Sequence, residues 1–308
     1  MVMENRENPV FGRKVFFLNP GLKVHNSIVG KLRQKEFEVY EIEDYKDAKP
    51  VLSENEDAIC FIDIDSGLSF KEWFNFVKSF EFDYSLQGIF IGILSAKANP
   101  LIREQFMLKA KLPGGMVNMN ENTIMLLDTI ERILEINGAK GRRKYVRLDC
   151  YGLENVYASC MVSGRMIDFT LEDLSSVGFA AICSKTFLPL LKKDMMCGLT
   201  LRIGSKDIFI ECKIFAVKES ASTVTCVFMF RENTDEKIRI DIRNFVFAVL
   251  QKKMNALINS SIKDLTDYSK EIEIPKDTNA ANVFADDVKF DAVDDSEVLP
   301  VLGDLEEL

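Results

Sequence analysis

Histidine is almost missing from this 308-residue sequence, which has one, His25. Its seven cysteines, at 60, 150, 160, 183, 197, 212 and 226, form no C-x-x-C pair. Those two shortages exclude a zinc centre and a disulfide framework, and leave reduced thiols acting as small apolar core residues. Long apolar runs are lacking too. The longest are short pieces such as 88–94, far below what a bilayer-spanning helix needs. Residues 1–8 are polar and carry no signal-peptide h-region, so a cytoplasmic protein is expected. There is no P-loop, no G-x-G-x-x-G and no nucleophile–base pair, so the sequence reads as a non-enzyme. Surplus positive charge is absent as well. The net charge is −9, but residues 271–308 hold twelve acids and two lysines, and residues 1–270 net only +1. A near-neutral body does not support general nucleic-acid binding.

What is present is enough apolar residue, 47%, to fill the cores of two domains of ordinary size. Residues 1–10 read as a flexible N-terminus. Over 11–137 strand patterns (apolar runs at 15–18, 58–64 and 88–94, an alternating 37–42 and a weak 116–119) alternate with helical patterns at 28–35, 70–80, 100–108 and 120–136. Runs that are apolar throughout, separated by helices, argue a parallel sheet covered on both faces. Asn137-Gly138 stops the last helix. Residues 138–144 form a short basic linker. Beyond it the style changes to alternating strands at 157–163, 165–171, 179–183, 199–203, 208–217 and 223–230, with Gly204-Ser205-Lys206-Asp207 as a hairpin turn. Strands so spaced suggest a small antiparallel barrel. A long amphipathic helix follows over 237–260, with Ile242, Phe245, Val246, Val249, Leu250 and Leu257 at helical spacing. Residues 261–308 read as an acidic disordered tail.

The order of the first 137 residues resembles a CheY-type receiver domain. In that family an acidic pair holds Mg²⁺ after the first strand, an Asp accepts phosphate after the third, a Ser or Thr follows the fourth and a Lys the fifth. Asp63 or Asp65 stands in the phosphoacceptor place and Ser95 in the fourth-strand place. The acidic pair is missing, because Leu18-Asn19-Pro20 stands there, and Lys111 is the nearest lysine. Without acids to bind metal, phosphoryl transfer lacks its charge neutraliser. The resemblance therefore implies a pseudo-receiver, an interaction or dimerisation module.

Two motifs mark the second half. Arg143 and Arg147 form R-x-x-x-R, preceded by Arg142. Asp173, Ser175 and Gly178, beginning 26 residues after Arg147, form D-x-S-x-x-G. Their order, separation and flanking strands resemble the PilZ family of cyclic di-GMP receptors, over residues 141–260. That family has a six-stranded antiparallel barrel with a C-terminal helix, and its arginine segment wraps the ligand. The residue chemistry fits. Arginine matches the O6/N7 edge of guanine with two parallel N–H donors and clamps phosphate. Asp173 can accept from guanine N1–H and N2, Ser175 adds a hydroxyl, and Gly178 permits a tight or positive-φ turn. The resemblance implies a receptor whose domains rearrange on binding and signal to a protein partner in motility, envelope or virulence regulation. Arg142 allows two stacked ligand molecules. A phosphorelay regulator with a PilZ output and a nucleotide-independent PilZ adaptor are the alternatives.

Overall fold

The computed structural model describes residues 11–270. Five parallel strands come first: β1 (Val15–Leu18), β2 (Val39–Ile42), β3 (Ile59–Asp63), β4 (Phe90–Ser95) and β5 (Met116–Asn118), in the order β2-β1-β3-β4-β5. That order is the flavodoxin-like one shared by CheY. Strands β1, β3 and β4 are mainly apolar and buried because both faces are covered, while β2 and β5 carry Glu41 and Asn118, and the two-residue period splits the sheet between two cores. Phe16, Leu18, Cys60 and Ile62 face α2 (Tyr45–Ser53), α3 (Phe70–Ser79) and α4 (Pro100–Lys109). Val15, Phe17, Ile59 and Phe61 face α1 (Gly30–Gln34), the π-helical turn Val24–Val29 before it, and α5 (Thr123–Ile136).

Helix starts follow local chemistry. Ser69 and Glu72 close a capping box on α3, Asn99 caps α4 ahead of Pro100, and Asn122 caps α5. Helix α2 has no counterpart in the sequence reading, since Pro50 lies inside it and hides it.

The second unit is β6 (Leu148–Asp149), β7 (Val156–Val162), β8 (Arg165–Ser175), β9 (Gly178–Ser184), β10 (Met196–Ile203), β11 (Lys206–Glu219) and β12 (Thr223–Phe230), all antiparallel. The order β8-β7-β10-β11-β12-β9 closes through β8–β9 pairing, so six strands make a barrel, with β6 added on β8. Its interior is one apolar cluster around Phe169, Phe179 and Phe228.

Helix α6 (Glu236–Ser260) is capped by Asp235 and serves both cores. Ile242, Val246 and Phe247 plug the barrel, and Met254 enters the α/β core. Gln251 pairs with the edge strand β2: its Nε2 donates to Glu41 O at 2.9 Å and its Oε1 accepts from Glu41 N–H at 3.0 Å. The expected tail at 261–308 needs a correction at its head. Residues 261–270 return to the α/β domain, where Tyr268 is buried against Tyr45 and Phe76 and Lys263 pairs with Asp47 at 3.0 Å. The apolar contact of Tyr268 holds this stretch down, against the expectation from its polar composition. The expectations for residues 1–10 and 271–308 lie outside the described residues.

Candidate functional site

The chain leaves α5 through Gly138 at φ +76° and runs to the barrel along the domain junction. Val146 and Leu148 point into the barrel core, which turns the residue between them outward. That residue is Arg147. Its Nη1 lies 3.1 Å from Asp173 Oδ2.

Asp173 owes its own direction to a bulge in β8. Ile167, Phe169 and Leu171 face inward at alternate positions, and the register shifts between Leu171 and Asp173. Without that shift Asp173 would fall on the core side. With it, Leu174 goes in and Asp173 faces out, with Oδ1 accepting from Ala180 N–H at 3.3 Å. Ser175 and Gly178 pair across a two-residue turn, and Ser175 Oγ donates to Gly178 O at 2.9 Å. Gly178 is not at positive φ. It is needed because a Cβ there would lie 2.2 Å from Phe228 O on the neighbouring strand.

These residues share one cleft of about 140 Å³, whose lining includes Arg143, Arg147, Asp173, Ser175 and Gly178. A second cleft of about 250 Å³ opens on the other side of the arginines, against the α/β domain, and includes Arg143, Arg147, Lys140, Phe11 and Glu36. Arg143 stacks over the Phe11 ring at 4.3 Å. Arg142 is exposed and lines neither cleft. So five of the six expected ligand residues converge, and guanidinium, carboxylate and hydroxyl groups meet at one opening.

Sequence reasoning missed Glu36. It follows α1 at φ +62°, and its side chain is 9% exposed. It reaches the junction and accepts three hydrogen bonds: from Val146 N–H at 3.1 Å, Ser176 Oγ–H at 2.7 Å and Arg243 Nε–H at 2.9 Å. A lone acid after a helix gives no local signal for this role.

The receiver-type positions are bound up with main chain. Asp63 is buried, and its two oxygens accept from Gly21 N–H and Asp65 N–H, each at 3.1 Å. Burial raises its pKa, with those two bonds opposing. Asn19, in the acidic-pair place at φ +53°, donates to Asp63 O at 2.8 Å and Ser66 O at 2.9 Å. Asp65 accepts from Ser95 Oγ–H and from the N–H groups of Ala96 and Lys97. Among the described residues no cluster of three or more His, Cys, Asp or Glu side chains is placed to hold a metal. These donors do not fit a divalent cation. His25 is mostly exposed beside Glu41. All seven cysteines are free and six are buried.

The fold is that of a receiver-like domain joined to a PilZ-like barrel. No family model and no curated protein matches the sequence. Among solved structures, the PilZ domain of YcgR from Escherichia coli with c-di-GMP is 16% identical, covering 37% of this chain and 96% of that one at a TM-score of 0.34. The MrkH–c-di-GMP complex from K. pneumonia is 20% identical, covering 36% of this chain and 53% of that one at 0.33. CheY4 of Vibrio cholerae is 19% identical, covering 40% and 99% at 0.33. The receiver-like to PilZ-like assignment rests on the strand order, barrel closure and cleft described above.

Proposed function

We propose that this protein is a cyclic di-GMP receptor, not an enzyme, that binds the dinucleotide at the PilZ-like cleft. The observation that carries the reading is the meeting of Arg143, Arg147, Asp173 and Ser175 at one opening. Arg143 and Arg147 supply paired N–H donors for phosphate and the guanine O6/N7 edge. Asp173 accepts from guanine N1–H and N2, which adenine cannot offer in that pattern. The Arg147–Asp173 pair must open for this, and an ion pair this exposed is weak enough to be displaced.

Because the arginine segment is also the link between the domains, ordering it around a ligand turns one domain against the other and so signals to a protein partner. Arg142, outside both clefts, is free to reach a second stacked ligand. Among the described residues no helix is long and apolar enough to cross a membrane.

Calorimetric titration of the full chain with cyclic di-GMP, against GTP and cyclic di-AMP, tests the reading. Wild type should bind cyclic di-GMP alone. Arg147→Ala should lose about 2–5 kcal/mol, the cost of truncating one partner of a desolvated charged contact. Wild-type affinity in Arg147→Ala refutes the assignment, and the fitted stoichiometry decides between one ligand and two.

A further inference from the structure

We infer that Glu36 is a positioning residue that holds the cleft in its ligand-free arrangement and so couples ligand binding to the α/β domain. The inference rests on the proposed cyclic di-GMP site. Glu36 belongs to the α/β domain, in the turn after α1, yet all three of its donors belong to the other half. Val146 N–H is one residue from Arg147, inside the arginine motif. Ser176 lies inside the D-x-S-x-x-G turn, between Ser175 and Gly178. Arg243 sits on α6, which plugs the barrel three residues later with Val246. One carboxylate therefore ties both ligand motifs and the helix to a different domain.

The tie is strong in kind. The Glu36 and Arg243 side chains are only 9% and 13% exposed, so the charge pair is little screened by water. The φ of +62° is costly for glutamate, and the three bonds offset it.

The sign follows from the geometry. With Val146 N–H on Glu36, Arg147 is held 3.1 Å from Asp173. A ligand that takes Arg147 to phosphate and Asp173 to guanine must separate that pair and shift the segment. Val146 N–H then leaves Glu36. Ligand and latch compete for one piece of backbone, so each weakens the other by the same factor.

The test is titration of the full chain with cyclic di-GMP in wild type, Glu36→Ala, Glu36→Gln and Ser176→Ala, with small-angle scattering of each with and without ligand. Glu36→Ala should bind tighter by roughly 5- to 100-fold. Its ligand-free scattering profile should already match ligand-bound wild type. Glu36→Gln keeps an acceptor but not the charge, and Ser176→Ala removes one bond, so both should fall between. A purely structural role would lower affinity or leave it unchanged, never raise it. If Glu36→Ala fails to fold with Arg243 left only its 3.8 Å pair with Glu236, the two milder variants carry the test, their melting checked first. Unchanged or weaker binding in variants that melt like wild type overturns the latch while leaving the receptor reading standing. No binding by wild type overturns the receptor reading and the latch with it.

Discussion

At Gly178 the requirement is steric. A methyl group would sit 2.2 Å from Phe228 O, and that carbonyl is backbone inside a closed barrel, so it cannot give way cheaply. Gly178→Ala should cost about 1–3 kcal/mol, as overpacking does, read as a lower denaturant midpoint with unchanged slope. A wild-type midpoint would refute the close-approach account. Asp173 behaves oppositely. Its pair with Arg147 is partly exposed and adds about 1 kcal/mol or less to stability. Asp173→Ala should therefore melt near wild type while losing discrimination between cyclic di-GMP and cyclic di-AMP. A large loss of stability without loss of selectivity would show that Asp173 serves the fold alone. The residues that meet at the cleft were picked out in the sequence because their types suit guanine and phosphate chemistry at short spacing. Glu36 was not, since its donors lie 110, 140 and 207 residues away. The bulge that turns Asp173 outward was likewise hidden, because it becomes visible only when Leu171 and Leu174 are both seen to face the core.

Helix α6 makes the same point for whole elements. Its periodicity reveals a helix, and its first half covers the barrel. Nothing in the periodicity says that the second half closes the edge of another sheet. Gln251 does so with a side-chain amide, giving Glu41 the donor and acceptor that a neighbouring strand would supply. Gln251→Leu keeps the bulk and leaves both backbone groups without that partner. It should cost about 1–3 kcal/mol, measured by thermal or denaturant unfolding, since one buried or half-buried polar group is left unmet for each bond removed. No loss would mean that water replaces the amide freely. Strand and helix positions in the α/β domain were read to within a few residues because its central strands are apolar runs bounded by turn residues. Helix α2 escaped because Pro50 breaks its pattern, although Asp44 caps it by accepting from Lys46 N–H at 3.0 Å. The docking of 261–270 escaped because a single aromatic, Tyr268, holds a polar stretch.

For the whole molecule, buried thiols set an alkaline limit. Burial pushes Cys60, Cys150, Cys160 and Cys226 up to about 12, from 9.0 for a free thiol, and these residues lie in both domains. Burial raises the Tyr40 and Tyr268 phenols in the same direction. The sign is fixed by linkage. The folded chain keeps these protons while the unfolded chain releases them, so the stabilisation is complete below pH 9.0 and is lost as pH rises toward about 12. Because α6 is shared by the two cores, the domains should lose it in one transition instead of two. The midpoint of unfolding should fall across that window, with a slope that is shallower in Cys60→Ala whatever that variant's stability at neutral pH, since one titrating thiol is gone. An alkaline limb with the same slope in both proteins would assign the loss to other groups. Two separate transitions would show that α6 does not bind the domains into one cooperative unit, and a latch acting across that junction would then have little to pull against.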